Sequence, residues 1–346
     1  MLTQSERFRA TLLDWYDAHA RDLPWRRTRD PYRIWLSEVM LQQTRVAAVI
    51  EHYHEFLRRF PTIEKLAAAR EASVLAAWSG LGYYRRARLL HAAAKVVVRE
   101  LNGKFPTTAK ELLDLPGIGR YTAAAIASIA FDEPIAVVDG NAERVLLRTS
   151  GRSLAGEQMW NAAEDLLDRS RPGDFNQAIM ELGATVCTPR APSCLTCPVI
   201  DLCATRGENT KTGKTTPQKK REIHYALNQM EAGENSCRDS RPRLSGGAEL
   251  SRRSFGKIFL VQRPRDASLM AGMWELPEIS SPPNHAQPAL TVRHSITVTD
   301  YTVQVWNSSA PDLNVGIWIP LHRLHKLALT GLTRKILRKV GLLTRK

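Results

Sequence analysis

The sequence predicts two domains, an all-α domain followed by an α/β domain. Apolar residues recur at helical spacing through residues 1–186, and Pro116, Gly117 and Gly119 form a hairpin between two helical stretches. After the polar segment 205–222, which contains no Ile, Val, Leu or aromatic residue, short β-like segments follow. A chain of 346 residues is long enough to build two hydrophobic cores.

The composition is strongly basic. Lysine and arginine number 49 against 35 acidic residues, so the net charge is +14 and the pI about 9.8. This excess favours a polyanionic partner, although ribosome association or a merely basic surface would also account for it. No run of about 18 apolar residues occurs, and the N-terminus lacks the apolar core of a signal peptide. We expect a soluble, monomeric, cytoplasmic protein, at the nucleoid if bacterial, that does not bind membranes.

The first helical segments carry an unusual glutamate. An amphipathic helix is predicted at residues 6–20, interrupted at 23–26 by Leu-Pro-Trp-Arg, and a longer helix from about 34 to 60 contains Glu38. The residues three and four positions from this glutamate cannot neutralise it: Ile34, Trp35, Leu41 and Gln42. A carboxyl group on a largely apolar face has a raised pKa, which suits a general acid; an ordinary surface glutamate is the alternative.

A glycine turn at residues 78–82 leads into a basic, aromatic helix start. Arginines in this stretch are candidates to hold phosphates, and Tyr83 or Tyr84 to insert between bases. By composition alone, buried tyrosines and a solvated arginine face are equally good interpretations. The three arginines are Arg85, Arg86 and Arg88.

The stretch 113–122 reads as helix, hairpin and helix. Gly117 and Gly119 allow positive φ and close approach of the backbone to a ligand, and free N–H groups at the start of the second helix suit a phosphate. Asp139 then opens a further helical stretch at 142–148. Separately, these features are typical of an ordinary turn and an ordinary N-cap.

Four of the five cysteines lie within 17 residues, spaced C-x6-C-x2-C-x5-C, with Pro189, Pro192 and Pro198 forcing loops between them. Four thiolates in one compact loop bind zinc or a cubane iron–sulfur cluster, and the spacing alone does not choose. The four candidates are Cys187, Cys194, Cys197 and Cys203. The fifth, Cys237, is predicted to have no role.

The C-terminal part is predicted from short segments of β character. Strands are expected at 223–227, 257–261, 290–298, 301–306 and 315–319, followed by a basic helix at 332–340. The polar, glycine-bearing segment 231–254 is predicted to be an extended or disordered loop.

Together, the string Leu-Ser-Glu-Val-Met-Leu-Gln-Gln-Thr at 36–44, the hairpin with its following aspartate, and the cysteine array resemble the helix-hairpin-helix DNA glycosylase superfamily, and within it the MutY-type adenine glycosylases. The resemblance implies hydrolysis of adenine opposite 8-oxoguanine or guanine in double-stranded DNA. It also implies an all-α catalytic domain at 1–186, a 4Fe-4S loop at 187–204, a basic linker at 205–222 and a Nudix-like lesion-recognition domain at 223–346.

The same resemblance assigns residues to roles. Glu38 would protonate N7 of adenine and then position water, Asp139 would stabilise the sugar cation, and Asn141 and Tyr121 would orient these carboxyl groups. Contacts to the base or to DNA are expected from Trp25, Arg26, Gln43, Thr44, Leu81, Tyr83, Gly117, Gly119, Gln177, Ser295 and Thr297.

Three further features bear on what the resemblance implies, and one of them, at residues 296–298, is a departure from the family pattern. Tyr121 stands where endonuclease III-like enzymes have the lysine that cuts the strand, so we expect no lyase activity. Ile-Thr-Val at 296–298 stands where the family commonly has Phe-Ser-His, which puts lesion recognition in question, and the acidic box of Nudix hydrolases is missing. A catalytically silent iron–sulfur damage-binding protein and an endonuclease III-like glycosylase-lyase are the alternatives.

Overall fold

The structure is a computed structural model that describes residues 2–206, 219–230, 256–267, 270–280, 287–296, 299–307 and 316–343. The chain forms two compact units, one of Met1–Ala69 with Arg86–Lys214 and the other of Arg70–Arg85 with Thr215–Lys346. The predicted domain boundaries stay a prediction. The grouping of residues 70–85 with the C-terminal unit is a feature that the sequence did not indicate.

Helices make up the first unit. They are α1 (Gln4–His19), α2 (Pro31–Leu41), α3 (Val46–Arg59), α4 (Ile63–Ala67), α6 (Arg85–Glu100), α7 (Ala109–Leu112), α8 (Arg120–Phe131), α9 (Gly140–Ser150), α10 (Glu157–Leu166) and α11 (Pro172–Thr185), while α5 (Glu71–Trp78) belongs to the second unit. Local sequence determines where several helices begin. Thr3 and Glu6 form a capping box at the start of α1, and Asp30 is the N-cap of α2, with Pro31 as its first residue. Helix α11 packs against α1, α8 and α9 and shares a buried apolar core with α1, α9 and α10.

The long helix predicted from 34 to 60 is wrong, because α2 ends at Leu41 and α3 begins at Val46. Gln43 has a positive φ of 54°, which interrupts the helical backbone between them. The guanidinium group of Arg86 satisfies the carbonyl groups at the end of α2: its Nη1 donates to the carbonyls of Val39 (2.6 Å), Met40 (3.0 Å) and Gln42 (2.6 Å).

Within its described residues, the second unit forms two four-stranded sheets. The strands are β1 (Lys219–Leu227), β2 (Gln229–Met230), β3 (Lys257–Gln262), β4 (Trp274–Glu275), β5 (Glu278–Ile279), β6 (Leu290–Ile296), β7 (Thr299–Asn307) and β8 (Gly316–Pro320). One sheet has the order β5-β1-β7-β6, with β1 parallel to β7; in the other, β3 pairs with β2, β4 and β8. Helix α12 (Gly331–Lys339) contributes to the core that these strands share.

Each predicted strand corresponds to an observed strand, although residues 297, 298 and 315 lie outside the described residues. The short strands β2, β4 and β5 were not predicted, and one boundary needs correction. Residues 219–222 of the predicted linker are the start of β1, because they pair in parallel with Thr299 to Thr302 of β7. Their side chains are exposed, so hydrophobicity gives no signal of the strand. Predicted elements at 231–254, with Cys237, lie outside the described residues. In the ranges that the structure describes, no helix is long and apolar enough to cross a membrane.

Candidate active site

Glu38 lies on α2 with only 6% of its surface exposed. The hydroxyl group of Tyr121, in the first turn of α8, donates a hydrogen bond of 2.5 Å to its Oε2. Burial raises the pKa of Glu38 to about 7; the hydrogen bond from Tyr121 opposes this rise, and the charge of Asp139 adds to it. This carboxyl group therefore carries a proton in a large fraction of molecules near neutral pH.

Asp139 is the N-cap of α9, as its position before a helix predicts. Its Oδ1 accepts hydrogen bonds from the backbone N–H groups of Asn141 (2.9 Å) and Ala142 (2.7 Å), and its Oδ2 accepts from Nδ2 of Asn141 (2.8 Å). Asn141 therefore fixes the orientation of the aspartate. The Asp139 side chain can therefore be both the N-cap of α9 and a candidate catalytic group, and the two interpretations are compatible.

Asn141 is itself held by Arg144, one turn further along α9. Nη2 of Arg144 donates to Oδ1 of Asn141 (2.9 Å) and to the carbonyl of Gly183 (2.7 Å), and its Nε donates to the carbonyl of Cys187 (2.8 Å). A Cβ atom on Gly183 would come within 2.7 Å of the Cβ of Asn141, so only glycine permits this approach of α11 to α9. Hydrogen bonds thus connect the Asp139 cap to the first cysteine of the array.

Both carboxyl groups line one cleft of about 540 Å³, a volume typical of small-molecule sites. Nine of the predicted site residues lie in its wall: Trp25, Arg26, Glu38, Gln43, Thr44, Tyr121, Asp139, Asn141 and Gln177. The structure therefore brings together side chains from five separate parts of the sequence. The Trp25 ring is supported from behind by an edge-to-face contact with Tyr53, with ring centroids 5.4 Å apart.

A second buried carboxyl group in the cleft, Glu181, was missed by the sequence analysis. It is 1% exposed and accepts hydrogen bonds from Nε (2.6 Å) and Nη2 (2.7 Å) of Arg21 and from Nη2 of Arg26 (2.8 Å). Burial raises its pKa, but the two guanidinium groups outweigh burial and hold the pKa at about 2. The signal was the one that identified Glu38, a glutamate within an apolar helical run, here four residues after Gln177.

The two buried glutamates therefore differ in protonation at neutral pH. Glu38 has a neutral tyrosine as its partner, whereas Glu181 has two arginines. Glu181 stays ionised and fixes the guanidinium group of Arg26 at the cleft wall, and Glu38 can hold and release a proton. Such a pair of carboxyl groups with opposed environments is typical of acid–base sites. Other lining residues not anticipated are Arg21, Leu23, Leu41, Gln42, Val46, Met180 and Ala184.

The hairpin at 113–122 joins α7 to α8. Gly117 has a φ of +78°, and a Cβ there would come within 2.6 Å of the Leu89 side chain, so this position requires glycine. Gly119, by contrast, has an ordinary φ of −97°, and the expectation of positive φ at both glycines is wrong. Gly119 instead serves as the N-cap of α8, where no side chain accepts from the first backbone N–H groups.

The four cysteines line one common cavity beneath α9 and α11, together with Val145, Leu182 and Val186. Nη1 of Arg148 lies 3.3 Å from Sγ of Cys187, and burial raises the pKa of Cys197 to about 11. Among the described residues, no three His, Cys, Asp or Glu side chains stand close enough together to hold a single metal ion.

The chain is similar to known base excision DNA repair proteins. A family model described as HhH-GPD superfamily base excision DNA repair protein matches residues 36–167. The adenine DNA glycosylase of Homo sapiens is 42% identical over 318 residues, covering 80% of this chain and 58% of that protein. The adenine DNA glycosylase of Schizosaccharomyces pombe is 32% identical and covers 79% of this chain and 69% of that protein. The chain belongs to the adenine DNA glycosylase family.

This adenine glycosylase family member is also similar to a solved structure of a thermostable thymine-DNA glycosylase, with a TM-score of 0.55 and 33% sequence identity. The match covers 58% of this chain and 95% of that chain. The chain spans 50–63% of the length of the human, mouse, rat and Arabidopsis adenine glycosylases that it matches.

Two of the predicted contact residues in the first unit, Gly117 and Gly119, do not line the cleft. Leu81, Tyr83 and Ser295 belong to the second unit. Tyr83 is 45% exposed, whereas Tyr84 is 4% exposed and the prediction that it inserts between bases is wrong, because it lies in the core. The guanidinium group of Arg86, a candidate phosphate ligand, donates to the backbone carbonyls at the end of α2. Ser295 pairs with Asp300 at the end of β6, and Thr297 lies outside the described residues.

Proposed function

We propose that this protein hydrolyses the N-glycosidic bond of adenine opposite 8-oxoguanine or guanine in double-stranded DNA. The observation that carries the proposal is the pairing, in one cleft, of a buried protonatable Glu38 with the helix-capping Asp139. Adenine leaves easily only if its ring is protonated, and the sugar cation that remains requires a nearby negative charge. These two residues supply one requirement each.

In the proposed mechanism, Glu38 donates its proton to N7 of adenine as the bond to C1′ of the sugar breaks. Asp139, which Asn141 orients, stabilises the developing oxocarbenium ion or bonds to it transiently. Glu38, now ionised, accepts a proton from the water that attacks C1′, which restores the starting state. Tyr121 holds Oε2 of Glu38 in place throughout.

Arg26 and Trp25 are proposed to bind the extruded adenine, and Gln43, Thr44 and Gln177 to contact DNA near it. Tyr121 carries no amine, so it cannot form the Schiff base that strand cleavage requires. We therefore expect monofunctional hydrolysis, with no enzyme–DNA adduct trapped by borohydride.

The cysteine array is proposed to hold a 4Fe-4S cluster. Four thiols that share one cavity, with the charge of Arg148 beside Cys187, suit a cluster of several atoms that all four residues ligate. The cluster would cross-link the loop 187–204 and keep it in place. Iron and sulfide analysis of the purified protein tests this, and stoichiometric zinc would contradict it.

The C-terminal unit is proposed to be a Nudix-like domain that reads the base opposite adenine. The mixed sheet containing the parallel pair β1 and β7, with α12 in the same core, supports this fold. Ser295 and Thr297 remain the proposed contacts to the lesion.

The test is single-turnover base release from duplexes with adenine opposite 8-oxoguanine, guanine or thymine, at fixed salt. We expect fast release from the first, slower release from the second and none from the third. Glu38→Gln and Asp139→Asn should each lower the rate by more than about 100-fold while binding persists. Tight binding without release by the wild type would instead identify a silent damage-binding protein, and near-wild-type rates in either variant would refute the assigned roles.

A further inference from the structure

The turn at residues 79–84, which carries Leu81 and Tyr83, has an unusual backbone. Gly80 (φ 116°), Gly82 (φ 72°) and Tyr83 (φ 48°) all adopt positive φ. The left-handed region is unfavourable for a tyrosine, so surrounding contacts must hold the turn in this form. The indole Nε1 of Trp78 closes it by donating to the carbonyl of Gly82 (3.2 Å).

Both ends of the turn are fixed to one carbonyl group in the C-terminal segment. Oγ of Ser79 donates to the carbonyl of Leu329 (2.6 Å), and Oη of Tyr84 donates to the same oxygen (3.3 Å). Nε of Arg334 on α12 donates to Oγ of Ser79 (2.9 Å). Ser79, Tyr84 and Leu329 are at most 4% exposed, so water does not compete for these bonds. We call these four residues the Leu329 network.

Leu329 is itself rigidly placed. The backbone N–H of Trp274 in β4 donates to the carbonyl of Ala328 (2.8 Å), and the N–H of Thr330 donates to the carbonyl of Trp274 (2.9 Å). Thr330 also caps α12 through its side chain. The carbonyl that anchors the turn is therefore part of the framework of the C-terminal sheet.

We propose that the Leu329 network sets the position of Leu81 and Tyr83 and so makes the C-terminal segment responsible for extruding the target base from the duplex. Ser79, Tyr84 and Arg334 are positioning residues in this role. The proposal rests on the proposed function, because it assigns to Tyr83 the insertion into DNA that the family resemblance implies. The hydrogen bonds of the Leu329 network also account for the grouping of residues 70–85 with the C-terminal unit.

The test measures base unstacking and base release separately. A 2-aminopurine placed next to adenine in an 8-oxoguanine duplex reports unstacking by fluorescence, and single-turnover assays report release. Arg334→Gln should slow both by about 10- to 100-fold, because small misplacements of a positioning element have effects of this size. Release from an 8-oxoguanine duplex whose base pairs on either side of the adenine are mismatched should fall much less, because less stacking and pairing must be broken.

Arg338→Gln, on an exposed turn of the same helix, removes the same charge and should leave the unstacking rate unchanged at matched salt. Ser79→Ala and Tyr84→Phe provide independent tests if Arg334→Gln does not fold, and Arg334→Lys should restore part of the loss. Wild-type unstacking in folded Ser79 and Tyr84 variants, or an equal loss on both substrates, would overturn the proposal. Absence of release by the wild type from every duplex would refute the glycosylase function instead, while the fluorescence assay would still test the turn.

Discussion

At the scale of single residues, Glu38 couples chemistry to stability. Its pKa is raised from 4.5 to about 7 by folding, so its contribution to stability is full below pH 4.5 and is lost as the pH rises to about 7. The Glu38→Gln variant has no ionisable group at this position, so it does not lose this stability as the pH rises. The free energy of unfolding of the variant, relative to the wild type, should therefore increase by up to about 3 kcal/mol between about pH 5 and pH 8.

Urea denaturation at the two pH values measures this difference. Glu55→Gln is the matched control, because hydrogen bonds from Arg58 and Arg59 hold the pKa of Glu55 at about 2 and it does not titrate in this window. An equal stability change in Glu38→Gln at both pH values would show that the buried carboxyl group is not the source.

Tyr121 should tune the same proton. Its hydrogen bond to Glu38 lowers the glutamate pKa, so Tyr121→Phe should raise it further and move the alkaline decline of base release to higher pH. The plateau rate should fall about tenfold, because Oε2 loses the group that orients it. Single-turnover rates across the neutral range measure both effects, and an alkaline limb displaced to lower pH would contradict this account.

At the scale of elements, we predict that Arg86 stabilises the C-terminal end of α2, which lies at the edge of the cleft. Arg86→Met leaves three carbonyl groups and the Thr44 hydroxyl without this donor, and should cost about 2–4 kcal/mol of unfolding free energy. Chemical denaturation measures it. Arg85→Met, one residue earlier and exposed, should have little effect; an equal loss in both would assign the cost to charge alone.

Sequence predicted the elements whose signals are local. Helix-capping residues, the proline and glycines of the hairpin and the apolar surroundings of Glu38 are all set by neighbours in the chain. The break after α2 was not predictable in this way, because Arg86 lies more than 40 residues away. Nor were the ion pairs that keep Glu181 ionised predictable, since Arg21 and Arg26 lie 160 and 155 residues before it in the chain. Polar contacts between residues far apart in the chain leave no signal in the local sequence pattern, so they could not be predicted from it.

At the scale of the whole molecule, the charge of +14 should govern binding but not chemistry. Binding releases about 0.9 counterion for each phosphate neutralised, so a protein with six or more phosphate contacts should lose about 1,000-fold in affinity for undamaged duplex between about 50 and 200 mM salt. The cleft, by contrast, encloses the reacting groups, and Glu38 is 6% exposed. Base release at saturating enzyme should therefore change less than about threefold over the same range, because buried interactions are weakly screened. Titrations by fluorescence anisotropy, paired with single-turnover assays in each buffer, measure the two dependences. A release rate that falls in parallel with affinity, even when all the DNA is bound, would mean that surface charge contributes to the chemical step itself.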